Sequence, residues 1–246
     1  MDSYTIFAQV YDKFIQAPYD QWADYIEQIW TKFADNRPKL VLDLACGTGN
    51  MAQILGGRGY DMIGVDNSVE MLSQARQKDP ETLYLLQDMR EFELYGSIDA
   101  IVCICDSLNY ILEYDELMQV FLLCHYYLNP DGILIFDVNT EYKYNEILAD
   151  NNFSQTDENA AYIWENYYDK GERLNEFATT FFIKQKGGLF ARHEELHIQK
   201  AHSIQEIKNA LITANLEILA EFDELTFNPP NPQSERIFFV AKKSIV

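Results

Sequence analysis

Basic side chains are scarce in this chain of 246 residues. The 19 lysine and arginine residues are outnumbered by 39 aspartate and glutamate residues, which gives a formal net charge of −20. Proteins that bind nucleic acid usually gather lysine and arginine on one face, whereas the longest basic cluster here is Lys242-Lys243. The composition therefore disfavours nucleic acid as a partner, although folding can still assemble a local basic patch.

Long apolar runs and cysteine pairs are also lacking. No apolar run reaches about 18 residues, and the N-terminus has no basic-then-apolar signal, so we expect a cytoplasmic protein without membrane contact. The cysteines form no C-x-x-C pair: Cys103 and Cys105 lie in one apolar segment, far in sequence from Cys46 and Cys124. We expect buried free thiols and no metal site.

The most informative segment is a strand–turn–helix at the run Leu40–Leu44 and the residues that follow it. The apolar run predicts a buried strand, and Gly47 and Gly49 let the backbone of the turn approach a ligand at the start of the next helix. The acid Asp43 near the strand end would repel a pyrophosphate. It suits a ligand that carries an ammonium group and no phosphate.

These residues resemble a known motif. Asp43-Leu-Ala-Cys-Gly-Thr-Gly49 is similar to motif I, D/E-x-G-x-G-x-G, of the class I S-adenosylmethionine (SAM)-dependent methyltransferases, with Ala45 in place of the first glycine. The segment Gly47-x-Gly49-x-x-Ala52 also satisfies the G-x-G-x-x-A dinucleotide pattern. An NAD-dependent oxidoreductase therefore stays open at this point.

Two further strands end in acids at suitable spacing. Tyr60–Asp66 predicts a second strand whose terminal carboxylate can accept both hydroxyls of a ribose, in SAM or NAD alike. Ser68 is the expected N-cap of a helix over 69–78. A third strand, Leu83–Leu86, leads to Asp88. The resemblance implies that Asp88 accepts the adenine amino hydrogens, a role that NAD folds do not require.

The cofactor-binding residues predicted from this pattern and from the resemblance come from the strand ends, the helix starts and the N-terminus. They are Asp43, Ala45, Cys46, Gly47, Gly49, Asp66, Asn67, Met71, Asp88, Met89, Cys105 and Tyr11.

A fourth strand, Asp99–Cys105, delivers the segment 106–110 to the same sheet edge, where a methyl acceptor is expected. This segment lacks the N-P-P-Y form, which counts against a DNA-base or glutamine methyltransferase. A helix over 114–128 and the turn 129–132 then lead to a fifth strand, Ile133–Val138. An amine acceptor must lose a proton, and we name Asp106, Tyr110 and His193 as candidate catalytic residues without choosing among them.

The βα rhythm stops after the fifth strand. Residues 140–202 predict an antiparallel insertion with strands over 162–168, 174–184 and 189–200. With Gly187-Gly188 as a two-residue turn, His193 pairs with Phe182, and alternation places His193, Glu195 and His197 on one face. We interpret that face as a half-solvated strand face rather than a metal site, and place the more apolar Phe177, Thr179, Phe181, Ile183, Leu196 and Ile198 opposite. The insertion resembles the sheets that close over substrate in small-molecule N-methyltransferases.

The tail returns to the α/β pattern. Ser203 and Glu206 form a capping box before a helix over 204–214, and strands follow at 216–225 and 237–241. The resemblance implies that the last strand runs antiparallel between strands five and six. At the N-terminus, Phe7-Ala-x-x-Tyr11-Asp resembles a lid segment of this subgroup, although packing explains its helical face equally well. Trp22 we expect in the core.

The sequence thus predicts an α/β protein with a Rossmann-like seven-stranded methyltransferase sheet and an antiparallel β cap. Residues 1–139 and 203–246 would form the SAM-binding domain, 1–35 a helical lid and 140–202 the cap. The expected activity is methyl transfer from SAM to nitrogen or oxygen of a small molecule, by a monomer or homodimer. An RNA or protein methyltransferase, an NAD-dependent oxidoreductase and a SAM-binding module without turnover are the alternatives.

Overall fold

A computed structural model describes residues 17–244, which form two β-sheets with flanking helices. The helices are α1 (Tyr19–Phe33), α2 (Asn50–Gly57), α3 (Val69–Lys78), α4 (Tyr114–Tyr127) and α5 (Ile204–Thr213). The strands are β1 (Leu40–Leu44), β2 (Asp61–Asp66), β3 (Leu83–Leu86), β4 (Ile98–Cys103), β5 (Leu128–Asn139), β6 (Asn152–Thr156), β7 (Ala160–Asp169), β8 (Leu174–Lys184), β9 (Phe190–Lys200), β10 (Leu216–Asp223) and β11 (Arg236–Lys243). A 3₁₀ turn spans Ser107–Tyr110, and a π-helical turn spans Lys143–Leu148.

The larger sheet has seven strands in the order β10-β11-β5-β4-β1-β2-β3. Strands β1 to β5 run parallel, and β11 lies antiparallel between β5 and β10. Helices cover both faces, so the central strands are buried on both sides and consist of near-continuous apolar runs. The predicted fold class, including the position and direction of the last strand, is confirmed.

Local signals placed most helix ends correctly. Ser68 caps α3 by accepting a hydrogen bond from the Met71 backbone N–H at 3.2 Å. The capping box of Ser203 and Glu206 is present at the start of α5. Trp22, predicted in the core, is only 2% exposed. No helix within 17–244 is both long and apolar enough to cross a membrane.

Some strand boundaries differ from the prediction. β4 ends at Cys103 rather than Cys105, because Cys105 and Asp106 adopt positive φ angles of 64° and 52°, which a strand cannot contain. The predicted turn at 129–132 is a bulge inside β5, where Ile98 pairs with Leu128 and Ala100 pairs with Ile133. A bulge accommodates the extra residues without ending the strand.

The smaller sheet is antiparallel, in the order β6-β7-β8-β9. β6 was missed in the sequence, and the predicted register of β8 on β9 was wrong by one residue: His193 pairs with Phe181, not Phe182. The Gln185 N–H donates to the Leu189 carbonyl at 2.8 Å, so the loop contains three residues rather than two.

The corrected register changes which side chains share a face, because cross-strand partners point the same way. His193, Glu195 and His197 lie beside Phe181, Thr179 and Phe177, respectively, and not opposite them. Glu195 is 8% and His197 1% exposed, so the prediction of a half-solvated face was wrong for both. His193 is partly exposed.

Candidate active site

A cavity of about 470 Å³ opens at the carboxyl ends of the parallel strands. We call two parts of its lining the strand-end wall (the lining residues within 43–51 and 65–71, with Gln87 and Met89) and the turn wall (Ile104, Cys105, Ser107 and Tyr110). The lining residues are Tyr19, Asp43, Ala45, Cys46, Gly47, Thr48, Met51, Val65, Asp66, Asn67, Ser68, Val69, Glu70, Met71, Gln87, Met89, Ile104, Cys105, Ser107 and Tyr110. Ligands of open α/β sheets bind at this position.

Asp43 brings a buried carboxylate to the strand-end wall. Its side chain is 2% exposed, and its Oδ2 accepts a hydrogen bond from the Ala52 N–H at 3.1 Å. Burial raises the pKa of Asp43 to about 7, and the neighbouring carboxylate of Asp66 contributes to the rise. A cation bound nearby would relieve this destabilisation of the charged form.

Asp66 ties the end of β2 to the turn after β1. Its Oδ2 accepts from the Gly47 N–H at 2.8 Å, and its Oδ1 accepts from the Ser68 N–H at 2.9 Å. Burial raises the pKa of Asp66 despite these hydrogen bonds. The turn is also anchored by the Cys46 N–H, which donates to the Val65 carbonyl at 2.9 Å. Ala45 takes a positive φ of 61°, the conformation that glycine at this motif position adopts without strain.

The two motif glycines have different tasks. A side chain at Gly47 would meet nothing within 4 Å, so this glycine leaves its side of the cavity open. A Cβ at Gly49 would lie 2.5 Å from the Tyr84 hydroxyl, and Gly49 is not part of the lining. Gly49 therefore makes room for Tyr84, and its predicted contact with the cofactor stays a prediction.

Asp88 lies outside the cavity lining, although its neighbours Gln87 and Met89 belong to it. The Arg90 side chain donates to both carboxylate oxygens of Asp88, at 2.9 Å from Nε and 2.7 Å from Nη2. These hydrogen bonds hold the pKa of Asp88 below its usual value. Its assignment to adenine stays a prediction.

A network of ionic contacts holds the start of the turn wall. The Asp106 N–H donates to Asp137 Oδ2 at 3.0 Å, and the Arg236 guanidinium binds both carboxylates, reaching Asp106 Oδ1 at 2.8 Å. Arg236 also lies over the ring of Trp22, at 5.4 Å from the centroid. The positive φ angles of Cys105 and Asp106 cost free energy that these contacts offset.

Gln199 and Asn109 join the turn to the end of β9. Gln199 donates from Nε2 to Asp106 Oδ2 at 2.7 Å and accepts from the Tyr144 hydroxyl at 2.9 Å. The buried amide of Asn109 donates to the carbonyls of Asn139 and Lys200 and accepts from the Asn139 N–H. Both carboxylate oxygens of Asp106 are thus engaged by other side chains. Because a base needs a free oxygen that can accept a proton from the acceptor, these contacts argue against Asp106 as the base.

Tyr110 is the candidate catalytic residue that reaches the cavity. Its hydroxyl lies 3.4 Å from Nδ1 of His197, and Nε2 of the same ring lies 3.4 Å from Glu195 Oε2. His193 is not part of the lining. Sequence reasoning put His193, Glu195 and His197 on one face but named His193 as the candidate, because which histidine approaches the turn depends on how the cap docks.

Three other predictions concern Tyr11, a metal site and the cysteines. Tyr11 lies outside the described residues, so its predicted contact with the cofactor stays a prediction. Within 17–244, no group of three or more histidine, cysteine, aspartate or glutamate side chains is arranged to hold a metal ion. Cys46, Cys103 and Cys124 are buried free thiols as predicted, while Cys105 is partly exposed in the turn wall.

Comparisons with known proteins agree with this geometry. Residues 41–132 match a family model described as a methyltransferase domain. A protein of Geobacillus sp. (strain WCH70), provisionally described as a methyltransferase, is 37% identical over 246 residues, covering 98% of this chain and 100% of that protein. The crystal structure of an S-adenosylmethionine-dependent methyltransferase from Clostridium acetobutylicum ATCC 824 is 31% identical, with a TM-score of 0.87, covering 96% of this chain and 97% of that chain.

A third relative matches a shorter region. The dTDP-3-amino-3,4,6-trideoxy-alpha-D-glucopyranose N,N-dimethyltransferase of Streptomyces venezuelae is 28% identical over 132 residues, which is 53% of this chain and 56% of that protein. Full-length similarity to the first two proteins, together with the strand order and the cavity at the strand ends, establishes the family. The chain belongs to the class I SAM-dependent methyltransferases.

Proposed function

We propose that this methyltransferase transfers the methyl group of SAM to the nitrogen of a small-molecule amine. The observation that carries the proposal is the charge of the cavity: its described lining contains Asp43, Asp66 and Glu70, and neither lysine nor arginine. Such a lining attracts cations and repels phosphate groups. It therefore suits a sulfonium cofactor and an amine acceptor, and it disfavours the pyrophosphate of NAD.

The residues of the strand-end wall fit SAM by their chemistry. Asp43 would hold the ammonium of the methionine part beside the open backbone of Gly47, and Asp66 would accept hydrogen bonds from the ribose. Met71 and Met89 offer apolar surface for the adenine ring. Bound SAM supplies an electrophilic methyl group on a positively charged sulfur, so the chain itself has to orient the acceptor, exclude water and remove a proton.

The acceptor would lie against the turn wall. Cys105, Ser107 and Tyr110 follow β4, and Tyr19 of α1 completes that side of the cavity. Residues 140–202 would act as a cap, because Gln199 and Asn109 join the last cap strand to the turn. The Streptomyces venezuelae relative, whose name describes methylation of an amino sugar, supports an amine acceptor of small size.

The test is a turnover assay of the full-length chain with SAM and a panel of acceptors. The panel contains glycine, a 3-amino sugar without phosphate groups, the matching 3-hydroxy sugar and total tRNA, and S-adenosylhomocysteine formation is measured by mass spectrometry. We expect methylation of an amine and none of its hydroxyl counterpart. Methylation of the hydroxy sugar or of tRNA, with the amines unchanged, would contradict the proposal.

A further inference from the structure

Three side chains form a polar chain that leads from the cavity into the cap. Tyr110 lines the cavity, and its hydroxyl lies 3.4 Å from Nδ1 of His197 on β9. Nε2 of that ring lies 3.4 Å from Glu195 Oε2. His197 and Glu195 are buried, with side chains 0% and 5% exposed. Burying a carboxylate and an imidazole together costs free energy unless they interact, so their arrangement requires an explanation.

The contacts on either side of His197 determine which nitrogen carries its proton. An ionised carboxylate only accepts hydrogen bonds. Nε2 faces the Glu195 carboxylate as a charge contact at 3.4 Å rather than as a formed hydrogen bond. The nearby carboxylate favours the proton of the neutral ring on Nε2, which leaves the Nδ1 lone pair for the Tyr110 hydroxyl. The ring of Phe177 stacks on His197 at 4.8 Å between centroids and 9° between planes, which fixes the orientation of the imidazole.

We propose that Tyr110 accepts the proton of the methyl acceptor and that His197 and Glu195 are positioning residues that relay it away. This inference rests on the proposed function in requiring an acceptor that loses a proton. The acceptor nitrogen gives its proton to the Tyr110 oxygen as the tyrosine proton passes to Nδ1 of His197. Tyrosine ends neutral, the imidazole carries the charge beside Glu195, and exchange with solvent restores it.

The alternative groups near the turn are less suited to this task. Asp106 is engaged by Arg236 and Gln199, and His193 pairs with Phe181, two positions along the same face of β9 from Glu195. Among the described residues, Tyr110 from the turn and Glu195 from β9 are titratable groups that contact the His197 ring, and β8 contributes the non-titratable Phe177. The buried Tyr144, which lies near the same turn, interacts electrostatically with both Asp106 and Tyr110.

Both contacts of the His197 ring, with Tyr110 and with Glu195, are 3.4 Å, which is longer than a strong hydrogen bond. The three side chains therefore differ from a rigid structural network. Catalytic hydrogen bonds in ligand-free proteins are often long and shorten when the substrate binds. Residues near the same turn, by comparison, already bind at 2.7 Å to 2.9 Å, as Gln199 does with Asp106 and Tyr144. The two contacts of His197 would therefore shorten when the acceptor binds.

The first test does not depend on an acceptor. Full-length protein with ¹⁵N-labelled histidines has four rings, and thus eight ring nitrogen signals, to resolve. The two signals of His197 are assigned by their loss in His197→Gln. We expect the Nε2–H tautomer for His197, a changed Nδ1 shift in Tyr110→Phe, and a population of the other tautomer in Glu195→Gln. His125, on α4, provides a signal that these variants leave unchanged. The Nδ1–H tautomer in the unmodified chain, or an Nδ1 shift indifferent to Tyr110→Phe, would overturn the relay.

The second test uses whichever amine of the acceptor panel is methylated. His197→Gln should lower kcat by about 100-fold or more, with SAM affinity by calorimetry kept within about twofold, and should remove an inflection from the pH profile of kcat. An unchanged pH profile would overturn the relay, since a purely structural loss does not move an inflection. If no amine is methylated, the proposed function fails while the histidine spectra still decide the relay.

Discussion

The two walls of the cavity are held by contacts between residues at very different separations along the sequence. In the strand-end wall, Asp43 binds the backbone of a residue 9 positions away and Asp66 binds residues 2 and 19 positions away. In the turn that carries the turn wall, Tyr110 contacts a residue 87 positions away, and Asp106 contacts residues 93 and 130 positions away. One wall forms from neighbouring βα units, and the other requires the cap and the last strand.

This difference indicates how the two halves of the reaction are separated. The strand-end wall is built at the carboxyl ends of neighbouring parallel strands, where open α/β sheets bind their ligands. The turn wall depends on side chains from β5, β9 and β11, so its chemistry can change with the cap while the first wall stays the same. We infer that cofactor binding and acceptor handling respond to different substitutions.

Removal of Arg236 should have the largest effect. Arg236→Met leaves Asp106 and Asp137 without their cation, and loss of one partner from a buried ionic group costs about 3–5 kcal/mol of unfolding free energy. Chemical denaturation measures the loss. The control is Arg192→Met, whose partner Glu194 is 63% exposed, and which should cost less than about 1 kcal/mol. Equal losses in the two variants would mean that the turn wall is not held by this network.

Gly49→Ala sharpens the account of the strand-end wall. The new Cβ would lie 2.5 Å from the Tyr84 hydroxyl at a φ of 74°, so we expect a loss of about 2–4 kcal/mol in unfolding free energy. Gly57→Ala is the matched control, because nothing lies within 4 Å of its added Cβ near the end of α2, and it should stabilise by about 0.5–1 kcal/mol. An unfolding free energy that Gly49→Ala leaves unchanged would contradict the conclusion that Gly49 makes room for Tyr84.

SAM affinity should depend on pH through Asp43. The buried carboxyl has a raised pKa of about 7 in the free protein, and a bound ammonium would lower it, so binding expels a proton when the pH is below 7. Affinity should be about eightfold weaker at pH 6 than at pH 7.5 and should fall again above about pH 8, where an α-amino group loses its proton. Calorimetric titration with SAM from about pH 6 to about pH 8.5 measures this dependence of affinity on pH. An affinity constant with pH would show that Asp43 does not face a cation.

The larger sheet was predictable because its signals are local. Apolar runs marked β1 to β5, and Ser68 and Ser203 marked the helices α3 and α5. The cap was less predictable, because the loop at Gly187-Gly188 determines the register of two strands and its length is not evident from two glycines alone. Because the loop contains one residue more than predicted, every cross-strand pair between β8 and β9 differs from the prediction by one position.

The same reasoning explains what was found and missed at the site. Asp43, Gly47 and Asp66 follow strand ends in the sequence, so their meeting at one edge could be inferred. Arg236 stands 130 positions from Asp106, and no local pattern joins the two. His197 was on the expected face, but its approach to Tyr110 depends on the docking of the cap through Asn109 and Gln199. Long-range side-chain pairs of this kind leave no periodic signal.

The most direct test of the account is calorimetric titration of the full-length chain and of Asp43→Asn with SAM and NAD. We expect the unmodified chain to bind SAM and not NAD. Asp43→Asn should weaken SAM binding by about 10- to 100-fold, the range for loss of a charged hydrogen bond, while Asp61→Asn, at the exposed start of β2, should leave it unchanged. Unchanged SAM affinity in Asp43→Asn, or binding of NAD by the unmodified chain, would contradict the assignment of the strand-end wall.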